Sequence, residues 1–385
     1  MATALDGLKV LDLSRVLAGP WAGQMLADLG ADVVKVERPG SGDDTRAWGP
    51  PWLKDADGRD TADAAYFFCA NRNKRSIAID IATPAGQALV RRLAERADVV
   101  LENFKVGTME KWGIGCEQMR GQWPHLVWCR VTGFGADGPL GALPGYDAAI
   151  QATAGLMSIN GEAGGDPLRV GLPVVDMVTG LNAVIGVLLA LHERAASGQG
   201  QLVDAALYDS GLSLLHPHAA NWFMSGKLPQ RTGNAHPNIY PYDVVRTGGT
   251  PVFLAVGNDR QFTLLCRHIG RPELAQDARF ASAGQRSVNR VELKDLLEAA
   301  LAQADGTRLA DELMAIGVPA AAVLNVEQAL THPHTLHRQM VVRMGGYTGL
   351  GAPVKLSRTP ATYRHAPLSE GRDFGPDEGP DLGTC

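Results

Sequence analysis

Several protein classes are excluded by what this chain lacks. Cysteine is scarce: only Cys69, Cys116, Cys129, Cys266 and Cys385 occur, none in a CxxC pair, and an odd number cannot all pair within one chain. They read as reduced thiols of a cytoplasmic protein. No continuous apolar segment opens the chain, and Asp6 interrupts its start, which argues against a signal peptide. The most apolar stretch, Met177–Leu191, is broken by Thr179, Gly180, Asn182 and Gly186 and reads as too short to span a bilayer, so a buried helix is expected. Charge of one sign is not in excess. Thirty-six Lys and Arg stand against 41 Asp and Glu, a net charge of −5, and neither nucleic acid nor membrane is an expected partner. No GxGxxG follows the first apolar run and no GxxxxGK[ST] occurs, which disfavours a dinucleotide or nucleoside triphosphate. The histidines of THPHTLH lack the spacing of a helical metal pair and have no cysteine near them. A surface turn is expected there, and no metal site.

What is present is alternation. The segments LKVLDLS, DVVKVER, SIAIDI, DVVLEN, HLVWCRVTGF and QLVDAAL read as strands. Helical patterns separate most of them, among them PWAGQMLADLG and a helix opened by Thr83-Pro84. Such alternation predicts an α/β fold, with a parallel sheet covered by helices on both faces. At 385 residues, two domains are expected. The Gly/Pro/Asn-rich passage 226–243 marks a boundary. We expect a large domain over 1–225, a smaller α+β domain over 226–325, and a return to the large domain over 326–385. In that last part MVVRM and GAPVKLS look strand-like, and the Gly/Pro/Asp/Glu-rich tail after Pro367 reads as mobile.

Three stretches carry chemistry. In GLPVVDMVTGLNAVIGVLLALHER, Asp176 stands before an apolar helix. Read locally it is an N-cap that satisfies free backbone amides. Read functionally it is a nucleophilic carboxylate in an apolar pocket, and the two readings are compatible. In KVERPGSGDDTR, Arg38 and Arg46 flank a Gly-rich turn after a strand, which suits a phosphate, although internal Arg–Asp pairing fits equally. In NRNKRS three positive charges precede a strand, the usual look of a solvated face.

Taken in order, LDLSRVLAGPWAGQMLADLGADVVKVERPGSGDDTR, NRNKRSIAIDI, ENFKVGTMEKWGIG, TGFGADGPLGALPGYD and GLPVVDMVTG resemble the class III CoA-transferases, the CaiB/BaiF group that includes formyl-CoA transferase. Within it, RVLAGP, VERPGSGDDTRAWGPP, NRNK and GYDA resemble the subgroup acting between succinyl-CoA and glutarate. The resemblance implies an interlocked homodimer, a Rossmann-like sheet domain built from both chain ends, and an inserted smaller domain. It implies no prosthetic group, with coenzyme A as substrate. It makes Asp176 the nucleophile, passing through an aspartyl anhydride and an aspartyl-CoA thioester, and Tyr146 a second active-site residue. It puts Val16, Leu17, Ala18, Arg38, Ile79, Asn103, Phe104, Lys111 and Trp112 at coenzyme A. Lys111 replaces an Arg of formyl-CoA transferase, and Leu17 replaces a Gln.

The acids exchanged are expected to be short, with succinyl-CoA as donor and a dicarboxylate as acceptor. A second carboxylate needs a cationic partner, for which Arg46, Arg169 and His236 are the candidates. Two other functions compete. An α-methylacyl-CoA racemase shares the fold but uses a His where this chain has Tyr146, and a tyrosine hydroxyl is a poor base near pH 7. A non-catalytic CoA-binding protein would have no use for Asp176.

Overall fold

The computed structural model describes residues 3–55 and 57–368. Apart from Leu368, the tail after Pro367 lies outside the described residues, as does Cys385. The chain divides into two compact units. One comprises 1–156, 169–223 and 337–385; the other comprises 157–168 and 224–336. The segment 157–168, expected with the large domain, clusters with the second unit instead.

The first unit is built on strands β1 (Lys9–Asp12), β2 (Asp32–Glu37), β3 (Lys74–Ala78), β4 (Val99–Glu102), β5 (Val127–Thr132) and β6 (Leu202–Ala206). They form one sheet in the order β3-β2-β1-β4-β5-β6, and every pairing is parallel. The reason lies in the runs KVLD, DVVKVE and VVLE. Successive side chains point to opposite faces, so a strand covered on both sides must be apolar at consecutive positions. Val10, Val33, Val99 and Leu101 enter one core, while Leu11, Val34 and Val100 enter the other.

Helices α1 (Ala18–Asp28) and α4 (Val174–Ser197) cover the first face. Helix α2 (Pro84–Glu95) covers the second, opened as expected by the Thr83 hydroxyl accepting from the Gly86 amide at 3.1 Å. Helix α3 (Asp147–Thr153) packs beside the start of α4. Gly180 permits the approach of α4 to α1, since a Cβ there would stand 2.8 Å from both the Ala18 carbonyl oxygen and the Trp21 ring.

At 24 residues, α4 is longer than the apolar core expected of it, and by length and composition alone it suffices to cross a membrane. Its Thr179, Ala183, Val187 and Ala190 are buried in the unit. Leu181, Ile185, Leu188 and Leu189 form a second apolar stripe that is open.

The expected solvated face at NRNKRS is a correction. Asn71, Arg72, Asn73 and Lys74 are each 2% exposed. Arg72 forks onto Asp28 through Nε and Nη2 at 2.9 and 2.6 Å. Lys74 Nζ donates to Asp12, the Pro20 carbonyl and Asn71 at 2.8, 2.8 and 2.9 Å. Every donor of that ammonium has an acceptor, and this makes its burial tolerable.

In the C-terminal part, MVVRM gives β10 (Val341–Met344), paired with β11 (Tyr347–Leu350) as a separate hairpin. GAPVKLS is not a strand, and Pro353 within it has no N–H to give a ladder. The following strap is tied to the sheet unit. The Arg364 guanidinium donates to the Ala27 and Ala31 carbonyls at 3.1 and 3.0 Å, closing the end of α1. The second unit carries the three-stranded antiparallel sheet of β7 (Tyr242–Val245), β8 (Val252–Ala255) and β9 (Ala320–Ala322), with β8 in the middle. Instead of the expected turn, THPHTLH takes in the last residue of one short helix, Val326–Thr331, and the whole of another, Pro333–His337.

Candidate active site

The strand order reverses direction between β1 and β4, and in open parallel sheets the crevice for a ligand lies at the carboxyl ends of the strands beside such a reversal. Two adjoining clefts lie there. The first, about 270 Å³, is lined by Val16, Leu17 and Ala18 after β1, Asn103 and Phe104 after β4, Gly133 after β5, and by Tyr146 and Asp176. The second, about 130 Å³, is lined by Arg38 after β2, Ile79 after β3, and Trp112. Arg15, Asp44 and Phe104 line both.

The structure thus brings together most of the sequence-predicted residues, but not all. Lys111 ends the short helix Thr108–Lys111, is exposed, and lines neither cleft. Arg46 must be withdrawn as a holder of substrate. It is 5% exposed, and its guanidinium donates to Glu37 at 2.7 and 2.8 Å, to Asp63 at 2.6 Å and to the Leu368 carbonyl at 2.9 Å, over the face of Phe67. Internal pairing took this arginine, while Arg38 stays exposed at the second cleft. Arg169 is exposed and outside both cleft linings. His236 belongs to the second unit, where its ring meets Tyr242 edge-on and its Nδ1 accepts from the Asn238 amide at 3.1 Å.

Asp176 is not the N-cap of α4. Pro173 holds that position, and Asp176 stands in the first turn. The acceptor for the free amides is Asp147, the first residue of α3. Its Oδ2 accepts from the Val175 and Asp176 amides at 2.8 and 3.1 Å. Its Oδ1 accepts from Gln151 Nε2 at 2.6 Å. Gln151, fully buried, also accepts from the Val170 amide at 2.8 Å and so fixes the segment leading into α4.

No hydrogen bond to the Asp176 carboxylate occurs among the described residues. Burial, and secondarily the Asp147 charge, push its pKa up to about 7. A carboxylate with no donor around it is poorly stabilised as an anion, hence reactive toward a carbonyl carbon.

Sequence reasoning missed three neighbours. Arg15 and Lys105 are cations on the wall of the first cleft. Their positions just beyond β1 and β4 were the available signal. Tyr66, in the short helix Ala65–Phe68, stacks edge-on with Trp48 at 5.3 Å. Its hydroxyl is pushed up to about 12 by burial and by the Asp176 charge, so the two groups share one environment. Nothing local in the sequence marks it.

A model of CoA-transferase family III matches residues 5–373. The succinate–glutarate CoA-transferase of Agrobacterium fabrum is 43% identical over 364 residues, covering 93% of this chain and 91% of that protein. The succinyl-CoA–D-citramalate CoA-transferase of Chloroflexus aurantiacus is 40% identical over 339 residues, covering 88% and 83%. The crystal structure of a CaiB/BaiF family protein from Brucella suis superposes with a TM-score of 0.89 at 43% identity, covering 97% of each chain. The chain belongs to CoA-transferase family III and is an enzyme that transfers CoA.

Proposed function

We propose that this enzyme moves CoA from succinyl-CoA to a short dicarboxylic acid, with Asp176 as the nucleophile. The carboxylate attacks the thioester carbonyl; a C–O bond forms, the C–S bond breaks, and CoA leaves as thiolate from a mixed anhydride. The thiolate attacks the aspartyl carbonyl, giving aspartyl-CoA and releasing the donor acid. The acceptor carboxylate then attacks this thioester, and the expelled thiolate takes the acceptor's acyl group from the second anhydride, restoring Asp176. Each difficult exchange between acids is divided into easier steps.

The observation that carries this reading is the Asp176 carboxylate, which accepts no hydrogen bond among the described residues, on the wall of a cleft at the carboxyl end of the sheet. Arg38 suits a phosphate of CoA, while Ile79, Trp112 and Phe104 offer apolar and aromatic surface for adenine. The relatives named for glutarate and D-citramalate support a dicarboxylate acceptor. Of the sequence candidates for its second carboxylate, Arg169 is the one that belongs to the same compact unit as Asp176 and is not engaged as Arg46 is. The open apolar stripe of α4, Leu181, Ile185, Leu188 and Leu189, supports a subunit interface there, as a homodimer would supply.

Asp176→Ala, assayed with succinyl-CoA against glutarate, is expected to bind CoA and transfer none. Ping-pong kinetics of the native enzyme would agree. Deuterium exchange at the α-carbon of a branched acyl-CoA without transfer would select the racemase instead.

A further inference from the structure

Val16 adopts a backbone conformation that its side chain disfavours. Its φ is 72°, in the left-handed region, where a β-branched residue is an outlier. A residue persists there only when its surroundings over-determine it. Two side chains from distant segments do so. The Asn103 amide oxygen accepts from the Arg15 N–H at 2.8 Å, and its NH2 donates to the Arg15 carbonyl at 2.7 Å. Asp43 Oδ1 accepts from the Val16 N–H at 3.3 Å.

Asp43 is itself immobile. It is 1% exposed; Thr45 donates to Oδ1 through N at 3.0 Å and Oγ1 at 2.7 Å, and the Lys35 ammonium stands 2.9 Å from Oδ2. Lys35 also donates to the Ser14 carbonyl at 2.8 Å. Successive residues 14, 15 and 16 are therefore each tied by a side chain of another segment. Both ends of the Asn103 amide and both oxygens of Asp43 are engaged with the protein. The loop they hold carries Val16, Leu17 and Ala18 into the lining of the first cleft.

We propose that Asn103 and Asp43 are positioning residues that clamp the Arg15–Val16 peptide in its left-handed turn and so shape the acyl-CoA site. The inference rests on the reading that this cleft binds acyl-CoA. It assigns Asn103 a task other than touching the cofactor, and it brings Asp43 into the site's machinery. Released from the clamp, Val16 would relax toward negative φ and move the cleft wall. Asp176, on another element, would keep its reactivity.

The test is a double-mutant cycle. CoA binding by calorimetry, and kcat and KM for succinyl-CoA, are measured on the native protein, Asn103→Ala, Val16→Gly and the double variant. Loss of a strain-holding contact is expected to weaken CoA binding and raise KM by about tenfold, with kcat within about threefold of native. Glycine adopts φ > 0 without strain. In the Val16→Gly background, Asn103→Ala should therefore lose much less than it does alone. An amide at 43 cannot accept from Val16 and Lys35 together, so Asp43→Asn should raise KM in the same sense. Should Asn103→Ala not fold, Asn103→Asp, which keeps the acceptor and loses the donor, carries the same comparison. CoA affinity within twofold of native, or equal losses in both backgrounds, would overturn the clamp alone. A native protein that bound no CoA would overturn the functional reading, and this proposal with it.

Discussion

The Asp147 carboxylate accepts the backbone N–H of Asp176 at 3.1 Å while its charge disfavours ionisation of the Asp176 side chain. One group thus orients the start of α4 and raises the pKa of the residue in its first turn. The two effects are separable by substitution. Asp147→Asn keeps an acceptor oxygen but removes the charge. The pKa of Asp176 should fall toward the ordinary carboxylate range, and the acid limb of the rate–pH profile should move to lower pH. Loss of the charge-assisted cap should also cost about 1 kcal/mol of stability, read by denaturant melts. An unshifted acid limb would show that the Asp147 charge does not act on the Asp176 carboxyl group.

The native enzyme should lose activity on acidification with a midpoint near the raised value of about 7. In the proposed mechanism the attacking species is the anion, and protonation removes it. Turnover at saturating succinyl-CoA between pH 5 and 9 checks this. A flat profile across that range would contradict a titrating nucleophile.

Asp176→Asn should be inactive yet more stable at high pH. The folded-state pKa lies above the unfolded value, so ionisation favours the unfolded chain. Stability is fully present below about pH 4 and is lost as pH rises through about 7. Removing the charge should therefore raise stability at pH 8 by up to about 4 kcal/mol, and the gain should shrink toward zero near pH 4. Denaturant midpoints of both proteins at the two pH values decide it; a gain independent of pH would mean that ionisation is not its source.

Arg46→Ala should behave as a stability variant. It strands Glu37, which is fully buried, and Asp63 without their cation, a loss of about 3–5 kcal/mol for a buried pair. Turnover of glutarate and of butyrate should change by the same factor, because the guanidinium is engaged within the protein. A selective loss of glutarate would restore Arg46 as a holder of the second carboxylate.

The open stripe of α4 should lie in a subunit interface. The native chain should sediment as a dimer from which no folded monomer separates on dilution, whereas Ile185→Glu or Leu189→Glu should abolish that species. A folded native monomer would be incompatible with an interlocked pair.

The succession of strands was legible because most are short apolar runs between turn-forming residues, as covered parallel strands usually are, although β3 opens on Lys74 and Arg75, ahead of the expected start at Ser76. The helix start at Thr83-Pro84 was legible for a similar local reason: the cap lies three residues from the amide it accepts. That Asp176 is unusual could be read from a carboxylate set in an apolar run. That it does not cap its own helix could not, because the capping carboxylate stands 29 residues earlier, on another helix. The burial of NRNK was illegible for the same reason: Lys74 finds Asp12 across 62 residues, and Arg72 finds Asp28 across 44. Arg38 and Arg46 look alike in the sequence, yet one faces a cleft and the other closes an ion network. Local pattern decided the elements and their order. Which charges are paired, buried or left reactive was decided only when the folded chain brought distant segments within hydrogen-bond distance.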